Sequence, residues 1–338
     1  MYSGLVTIMM PVYNAEKYLK DAIESILQQT YSNFEFIITN DGSTDNSLEI
    51  IKDYAERDKR IIVISRENKG LVYTLNEQLN IANGKYIVRM DADDISDKER
   101  IKKQVRYMEK NKDIYLAGTY YDLIIEQGTD KKLIKEAEKG QKRLNSFTDD
   151  LPQHIFMGYI LLHGTWIFRK KLIDILGGYR DYKHSEDGEF LFRVLAAGYR
   201  IGVIPEKLFK CRVSNSSKSN NDRLCNTGIK EDIIKYHMEY LSKCIQGGFN
   251  SEYIVWGSDI TGNLTVEWIK KEFPDAQFRG YIDSFAEPDK EKQIFRPNFI
   301  NEHNGYYIFI ATSSGLNYAV NYLDKIGKKK IKDYFSVV

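Results

Sequence analysis

Four short apolar runs, LVTIMM (5–10), FEFIIT (34–39), IIVI (61–64) and KYIVRM (85–90), punctuate the first ninety residues. The gaps between them carry apolar residues at helical spacing. Ala15, Tyr18, Leu19, Ala22, Ile23, Ile26 and Leu27 predict a helix over 15–29. Leu48, Ile51 and Tyr54 predict a second, with Asp45 as its cap, and Leu71, Val72, Leu75, Leu79 and Ala82 a third. Strands alternating with helices build βαβ units, which commits this stretch to an α/β fold with a mainly parallel sheet. Such sheets hold their ligands in a crevice beyond the carboxyl ends of the strands. Three polar clusters fall there: PVYN after the first strand, NDGSTD after the second and DADD after the fourth.

The DADD cluster places Asp91, Asp93 and Asp94 within four positions. Like charges packed so closely need a cation or a ring of donors to offset them. Asp91 and Asp93 are expected to face one side of the crevice, with Asp94 turning into the helix predicted over 97–110. Hard divalent cations take oxygen ligands, commonly one or two carboxylates plus substrate phosphates. A plainer role, capping that helix, suits Asp94 or Asp97 but leaves Asp91 and Asp93 unexplained. A second acidic cluster, HSEDGEF (184–190), precedes a helix on which Phe190, Leu191, Val194 and Leu195 share a face. Glu186 and Asp187 therefore sit at a helix N-terminus, either as caps or as a functional pair.

At 338 residues the chain suggests two domains. A net charge of +1, from 49 basic and 48 acidic residues, gives no support for a nucleic-acid partner. Three cysteines without CxxC spacing argue against a disulfide framework or zinc site and fit a reducing compartment. The N-terminus has no signal-peptide pattern. The longest uncharged run, residues 155–168, is too short to span a bilayer and is expected to be a buried strand–turn–strand. A cytoplasmic protein is expected. Further along come a strand near IYLAGTYYDLI, a charged stretch KKLIKEAEKGQKR expected as a solvated edge or loop, and a polar loop over 214–223.

A new strand–helix pattern starts at 253. YIVWGSDITG resembles a Rossmann turn, with Asp283 placed as a ribose-binding acid would be. Asp259, however, replaces the middle glycine and would face a pyrophosphate with like charge. The expected division is residues 1–220, a helical linker 221–248, and a small Rossmann-like accessory domain over 249–338. That domain would serve partner binding, dimerisation or acceptor presentation, with a second nucleotide site as the minority reading. The GKKKIK segment (327–332) is expected to be solvated; a peripheral contact with an anionic membrane and a homo-oligomer stay open.

Taken in order, TIMMPVYNAEKYLKDAIESILQQTYSNFEFIITNDGSTDNS, ENKGLVYTLNEQLNIANGKYIVRMDADD and GGYRDYKHSEDGEFLFRVLAAGY make the chain resemble a family 2 glycosyltransferase of GT-A fold over roughly residues 1–220. The resemblance implies the nucleotide-diphospho-sugar transferase architecture. It implies that Pro11, Tyr13 and Asn14 line the nucleotide pocket, that Asp41 meets the nucleobase, and that Lys69 and Asn76 lie near the nucleotide. Asp91, with Ala92, would sit by the ribose and metal. Asp93 would ligate Mn²⁺ or Mg²⁺. Asp187 would be the general base with Glu186 in support. His163 and Trp166 either line the acceptor site or simply pack as a buried His and aromatic. Asn40 stands where many members have Asp, and Ser214 where many have His. The implied reaction is inverting transfer from a nucleotide-sugar, a UDP-sugar foremost, to a glycan or lipid-linked glycan. The rivals are a nucleotidyltransferase, whose glycine-rich basic loop PVYNAEKY does not resemble, and a non-catalytic nucleotide-sugar binder or scaffold acting through the C-terminal domain.

Overall fold

A computed structural model describes residues 4–148, 161–182, 185–215, 227–244, 251–312 and 315–337. The chain forms two compact units. The second gathers Leu191–Ala197 with Cys225–Val338, and the first holds most of what precedes.

In the first unit the expected alternation appears as β1 (Val6–Val12), α1 (Leu19–Leu27), β2 (Phe34–Asp41), α2 (Ser47–Arg57), β3 (Ile61–Arg66), α3 (Leu71–Ile81) and β4 (Tyr86–Arg89). There follow β5 (Ile95–Ser96), α4 (Arg100–Lys110), β6 (Ile114–Ile125), α5 (Lys131–Leu144), β7 (Ile167–Arg169), α6 (Lys171–Leu176), α7 (Glu186–Ala196), of which the residues from Leu191 on group with the second unit, and β8 (Arg200–Val213). The strands lie in the order β3-β2-β1-β4-β7-β6-β8-β5. The first four are parallel, β7 runs antiparallel to both its neighbours, and β6 and β8 are parallel. Val6, Ile8, Met9 and Met10 are fully buried, as expected of a central strand covered on both faces. Leu19, Ala22, Ile23 and Ile26 form the buried stripe of α1. β2 and β3 lie on one side of β1 and β4 on the other, so the chain reverses direction across the sheet at the β1/β4 pair. A ligand crevice is expected at such a switch point, beyond the strand ends.

Local departures from the expected elements have physical reasons. β1 runs through Pro11 to Val12 rather than stopping before it. Met9 O accepts from Met90 N, so Met9 and, two residues on, Pro11 both direct their backbone groups toward β4. The β1–β4 ladder ends at Met9 and Arg89, so the missing proline N–H costs no bond. Helix α1 is shorter than 15–29. The KKLIKEAEKGQKR stretch is a helix, α5, not a solvated edge or loop. Asp130 caps it by accepting from Lys132 N and Leu133 N, and Leu144 is buried at its end. Of the run 155–168, residues 155–160 lie outside the described residues; the rest is a 3₁₀ turn (His163–Thr165) leading into β7. Most of 214–223 also lies outside them.

The second unit contains α8 (Thr227–Cys244), one helix where one or two were expected, then β9 (Glu252–Trp256), α9 (Ile260–Glu272), β10 (Gln277–Ile282), β11 (Ile294–Phe295), α10 (Phe299–Glu302), β12 (Tyr307–Ile310), α11 (Leu316–Lys325) and β13 (Tyr334–Ser336). Its sheet, β11-β10-β9-β12-β13, is parallel throughout. Ile254, Trp256, Ile282, Ile308, Ile310 and Leu323 fill its core. At the Rossmann-like turn Asp259 accepts from Thr261 N and Gly262 N and so caps its own helix. Asp283 accepts from the Ser258 hydroxyl (2.6 Å), Phe285 N and Ala286 N. Asp283, placed where a ribose-binding acid would be, and Asp259, which would oppose a pyrophosphate, are thus both engaged in the turn itself.

A Cβ on Gly262 would lie 2.0 Å from the Gly257 carbonyl oxygen. Gly262→Ala is therefore expected to destabilise the protein by about 1–3 kcal/mol or more through overpacking against backbone, measured as a lower midpoint in thermal or urea unfolding.

Candidate functional site

The base of the crevice is assembled by loops that hold one another. Asn14, in left-handed backbone at φ 50°, ends the β1 turn. Its Oδ1 accepts from Thr44 N (2.8 Å), and its own N–H donates to Ser43 Oγ (3.0 Å). Asp45, expected to cap α2, stands one residue before the N-cap Asn46; it accepts from both Ser47 N and Glu16 N and so ties the helix start to the β1 loop. Tyr13 is more than half exposed at the mouth, with Pro11 half-buried behind it.

Asp41, at the end of β2, is buried. Its Oδ1 accepts from Lys69 N (2.8 Å), its Oδ2 accepts from Gly70 N (3.0 Å), and the Arg66 guanidinium pairs with it. Gly42 makes this approach feasible: it has φ 72°, and a Cβ there would sit 2.5 Å from Asn68 N. Arg66 also bonds Glu77 (3.1 Å) and Thr74 Oγ1 (2.9 Å), and it stacks with Lys69 on the exposed Tyr73 ring. Asp41 thus orders the loop after β3 before any ligand arrives. A carboxylate has about four acceptor sites, so capacity for one further donor remains. Asn76, expected near the nucleotide, has its side chain on another segment. Its amide donates to Tyr179 O and accepts from Tyr179 N, both at 2.8 Å, clamping a distant segment.

The acidic turn after β4 is offset first by arginine. Arg89 Nη2 donates to Asp91 Oδ1 at 2.7 Å from an almost fully buried side chain. Arg100, fully buried, donates to Arg89 O (2.6 Å) and lies over the Phe209 ring; burial pushes its guanidinium down to about 9. Arg212 donates its backbone N–H to Asp94 Oδ1 (2.7 Å) and its Nε–H to Asp93 O (2.8 Å), with its guanidinium 3.8 Å over Tyr18. Asp94 therefore does not lead into the next helix. A short strand, β5, intervenes, and Asp94 holds the end of β8 instead. Asp97 takes the local turn role, accepting from Glu99 N. Gly164 approaches because it has no side chain: a Cβ would stand 2.8 Å from Asp91 Oδ2 and 2.6 Å from the Phe209 ring.

The arginines leave Asp93 incompletely compensated. Burial, and then the Asp91 charge, push its carboxyl up to about 6; burial, and then the Asp93 and Asp91 charges, hold the Asp94 carboxyl well above the usual carboxylate range. Among the described residues no three His, Cys, Asp or Glu side chains form a metal cage. Asp91 and Asp93 supply two hard oxygen donors with mutual repulsion that a cation would relieve. This set fits a divalent ion that completes its coordination with phosphate oxygens.

Asp187 opens α7 and is buried, accepting at Oδ1 from Gly188 N (2.7 Å). Burial pushes its carboxyl up to about 6. Arg89 and Asp91 are close enough to act on it, Arg89 favouring the charged form and Asp91 opposing it. Glu186 is buried beside it, and Glu189 pairs with Arg180 at 3.2 Å. His184 of the same motif lies outside the described residues. His163 and Trp166 are packed: His163 Nε2 and Tyr179 Oη are 2.9 Å apart, and the Trp166 ring meets His163 edge-on at 4.6 Å. Burial and the nearby Arg89 keep His163 neutral. Both side chains are buried. Arg66, Arg100 and Arg212 carried no motif signal, although Arg89 stands inside RMDADD.

The Glycosyl transferase family 2 model matches residues 7–175. The chain is 37% identical over 218 residues to an uncharacterized glycosyltransferase, MJ1057, of Methanocaldococcus jannaschii, covering 64% of this chain and 73% of that one. It is 34% identical to the putative glycosyltransferase EpsE of Bacillus subtilis, covering 61% and 72%. Among solved structures it is similar to S. aureus TarS 1–349 in complex with UDP-GlcNAc, at TM-score 0.55 and 20% identity over 69% of this chain and 66% of that one. It is also similar to the mannosyltransferase PcManGT from Pyrobaculum calidifontis in complex with GDP-Man and Mn²⁺, at TM-score 0.52 and 16% identity over 74% and 66%. Both structural matches span just under two thirds of the solved chain and establish the fold.

The raised carboxyl of Asp187 has a stability consequence. The folded state binds this proton more tightly than the unfolded chain, so stability falls as pH rises from about 4 to about 6, by up to roughly 3 kcal/mol. Asp187→Asn is expected to melt above the parent at pH 7.5, with the gap closing at pH 4. A lower midpoint at pH 7.5 would mean that the folded protein favours the charged carboxylate.

Proposed function

This chain belongs to glycosyl transferase family 2, and from that premise we propose that it is an inverting enzyme. It moves a sugar from a nucleotide-sugar, foremost a UDP-sugar, to a hydroxyl of a glycan, glycolipid or glycoprotein in surface-polysaccharide assembly. One observation carries the reading. Asp187, at the start of α7, lies within electrostatic reach of Asp91, at the end of β4, across almost a hundred residues of sequence. A buried carboxyl near neutrality beside an oxygen-rich turn suits proton removal from an acceptor next to a departing diphosphate. The nucleotide-sugars bound by the two structural neighbours support the donor class.

The residues then divide by task. Pro11, Tyr13, Asn14, Asp41 and the Lys69 loop frame the nucleotide end, with Asp41 held ready by Arg66 and the Lys69 and Gly70 N–H groups. Asp91 and the Ala92 main chain stand by the ribose. Asn76 acts through Tyr179 rather than by touching donor. Asp187 takes the proton of the attacking hydroxyl, which is a poor nucleophile at neutral pH; Glu186 supports it at the helix terminus. Direct attack opposite the diphosphate inverts the anomeric centre and needs no enzyme nucleophile. Asp93 and Asp91 would hold Mn²⁺ or Mg²⁺, which when bound supplies charge neutralisation at the leaving diphosphate. No helix among the described residues is long and apolar enough to cross a membrane; work at the cytoplasmic face, peripheral to the membrane, is part of the proposal.

The remaining rival is a non-catalytic nucleotide-sugar binder. A ligand that binds only the native state raises the unfolding midpoint, so midpoints with UDP-, GDP-, CMP- and dTDP-sugars, with and without Mn²⁺ or Mg²⁺, define the donor. A metal-dependent rise with one nucleotide class is expected, and Asp93→Ala should abolish it. Asp187→Asn should keep that rise and lose about 10²–10⁴-fold in transfer. Full transfer by Asp187→Asn would leave binding as the function. For the active enzyme, kcat should fall as pH drops below about 6, where Asp187 becomes protonated.

A further inference from the structure

Helix α5 carries its charge on one side. Lys131, Lys132, Lys135, Lys139, Lys142 and Arg143 are all exposed. At about 100° per residue they fall within an arc of about 120°, and the two acids of the helix, Glu136 and Glu138, stand at its margins. The opposite side holds the helix to the first unit. Leu133, Ile134 and Ala137 are half-buried there, Leu144 is buried, and Gln141 Nε2 donates to Tyr121 O (3.0 Å) and Asp122 Oδ1 (3.2 Å). Asp130 caps the start, and at the end Asn145 donates to Tyr121 O (2.7 Å) and accepts from Tyr121 N (3.0 Å). None of the five lysines forms an ion pair among the described residues. The acids of the neighbouring β6 and its end are engaged elsewhere: Asp122 pairs with Lys207 (2.7 Å), and Glu126 meets Lys17 and the Tyr18 hydroxyl. Six basic and two acidic residues give α5 a net charge of +4, against +1 for the whole chain, so the other residues sum to −3.

We propose that this stripe is a docking surface for an anionic lipid bilayer and holds the first unit against the membrane. This deepens the reading of an enzyme that works at a membrane face, and it rests on that reading. A straight helix of 14 residues offers an edge about 21 Å long, and cations set along one line can meet a flat charged plane together. The apolar side of α5 is packed on protein, so the attachment is electrostatic and lacks the insertion made by an amphipathic surface helix. Each Lys or Arg brought to an anionic leaflet strengthens attachment by about fivefold. The attraction weakens as the screening length shortens from about 10 Å at 0.1 M salt to about 3 Å at 1 M. A nucleic acid is a poorer match. Its affinity comes from many phosphates neutralised along the strand, and outside α5 this chain is net negative.

The test sediments the full chain with vesicles of phosphatidylcholine, alone or mixed with phosphatidylglycerol. Binding is expected to the anionic vesicles only, at low salt, and to be lost at about 1 M salt. The triple variant Lys135→Gln, Lys139→Gln, Lys142→Gln should bind them about 100-fold more weakly. The matched variant Lys328→Gln, Lys329→Gln, Lys330→Gln, in the second unit, should bind like the parent. Both should keep the parent's unfolding midpoint and its donor-induced rise, which shows that the fold is intact. Absence of binding to anionic vesicles overturns the proposal, and so does parent-like binding by the α5 variant. A DNA duplex bound more tightly than the vesicles at the same salt, and released by the α5 variant, would assign the stripe to nucleic acid and overturn it too. Transfer to a water-soluble acceptor is measured alongside. If transfer is present and vesicle binding absent, only the docking inference has failed. If vesicle binding depends on α5 and no donor supports transfer, docking stands and the enzymatic reading has failed.

Discussion

The acidic turn after β4 depends on buried arginine. Asp91, Asp93 and Asp94 could not share a half-buried turn without compensation, and Arg89, Arg100 and Arg212 supply it from the strand, the following helix and β8. Guanidinium groups suit this task because they remain charged when buried and offer several donors in a fixed plane. Their reach explains the surrounding architecture. Arg100 braces the β4 main chain, Arg212 holds the β8 end to the turn, and Gly164 leaves room for the Asp91 carboxylate. The compensation is partial, since the Asp93 carboxyl remains raised. A turn balanced in this way is held together by its own arginines, and the residual repulsion is what the proposed cation would relieve.

The same economy appears elsewhere in the crevice. Asp41 is occupied by main-chain donors and Arg66, which orders the loop after β3 in advance. Asn76 spends its amide on the Tyr179 backbone. Preorganised groups of this kind lose little on binding, and that is where transition-state stabilisation comes from. In the second unit the corresponding acids, Asp259 and Asp283, complete their own turn. The strand ends of the two sheets thus carry similar carboxylates with different partners: Asp41 meets an arginine and the loop after β3, and Asp259 and Asp283 meet only their own turn.

Much of this was legible in the sequence. The strand–helix alternation of the first ninety residues, the three strand-end clusters and the second α/β unit all follow from hydrophobic period and turn chemistry. The misreadings share a cause. KKLIKEAEKGQKR looked like a solvated loop because its apolar residues, Leu133, Ile134 and Ala137, are few among lysines, yet with Leu144 just beyond they fall on one side and Asp130 caps the start. Pro11 looked like a strand end because the sequence does not show that its nitrogen faces past the end of the β4 ladder. Asp94 looked like a helix cap because β5, only two residues long, has no pattern of its own.

The sequence by itself determined the fold class, the place of the crevice and the two acidic clusters, because strand and helix periods and strand-end polarity are local properties. Only the tertiary structure decided which charges meet. Arg66 reaches Asp41 across 25 residues, Arg212 reaches Asp94 across 118, and Asp187 comes within the field of Asp91. Such pairings depend on strand order and helix packing, and no local period encodes them.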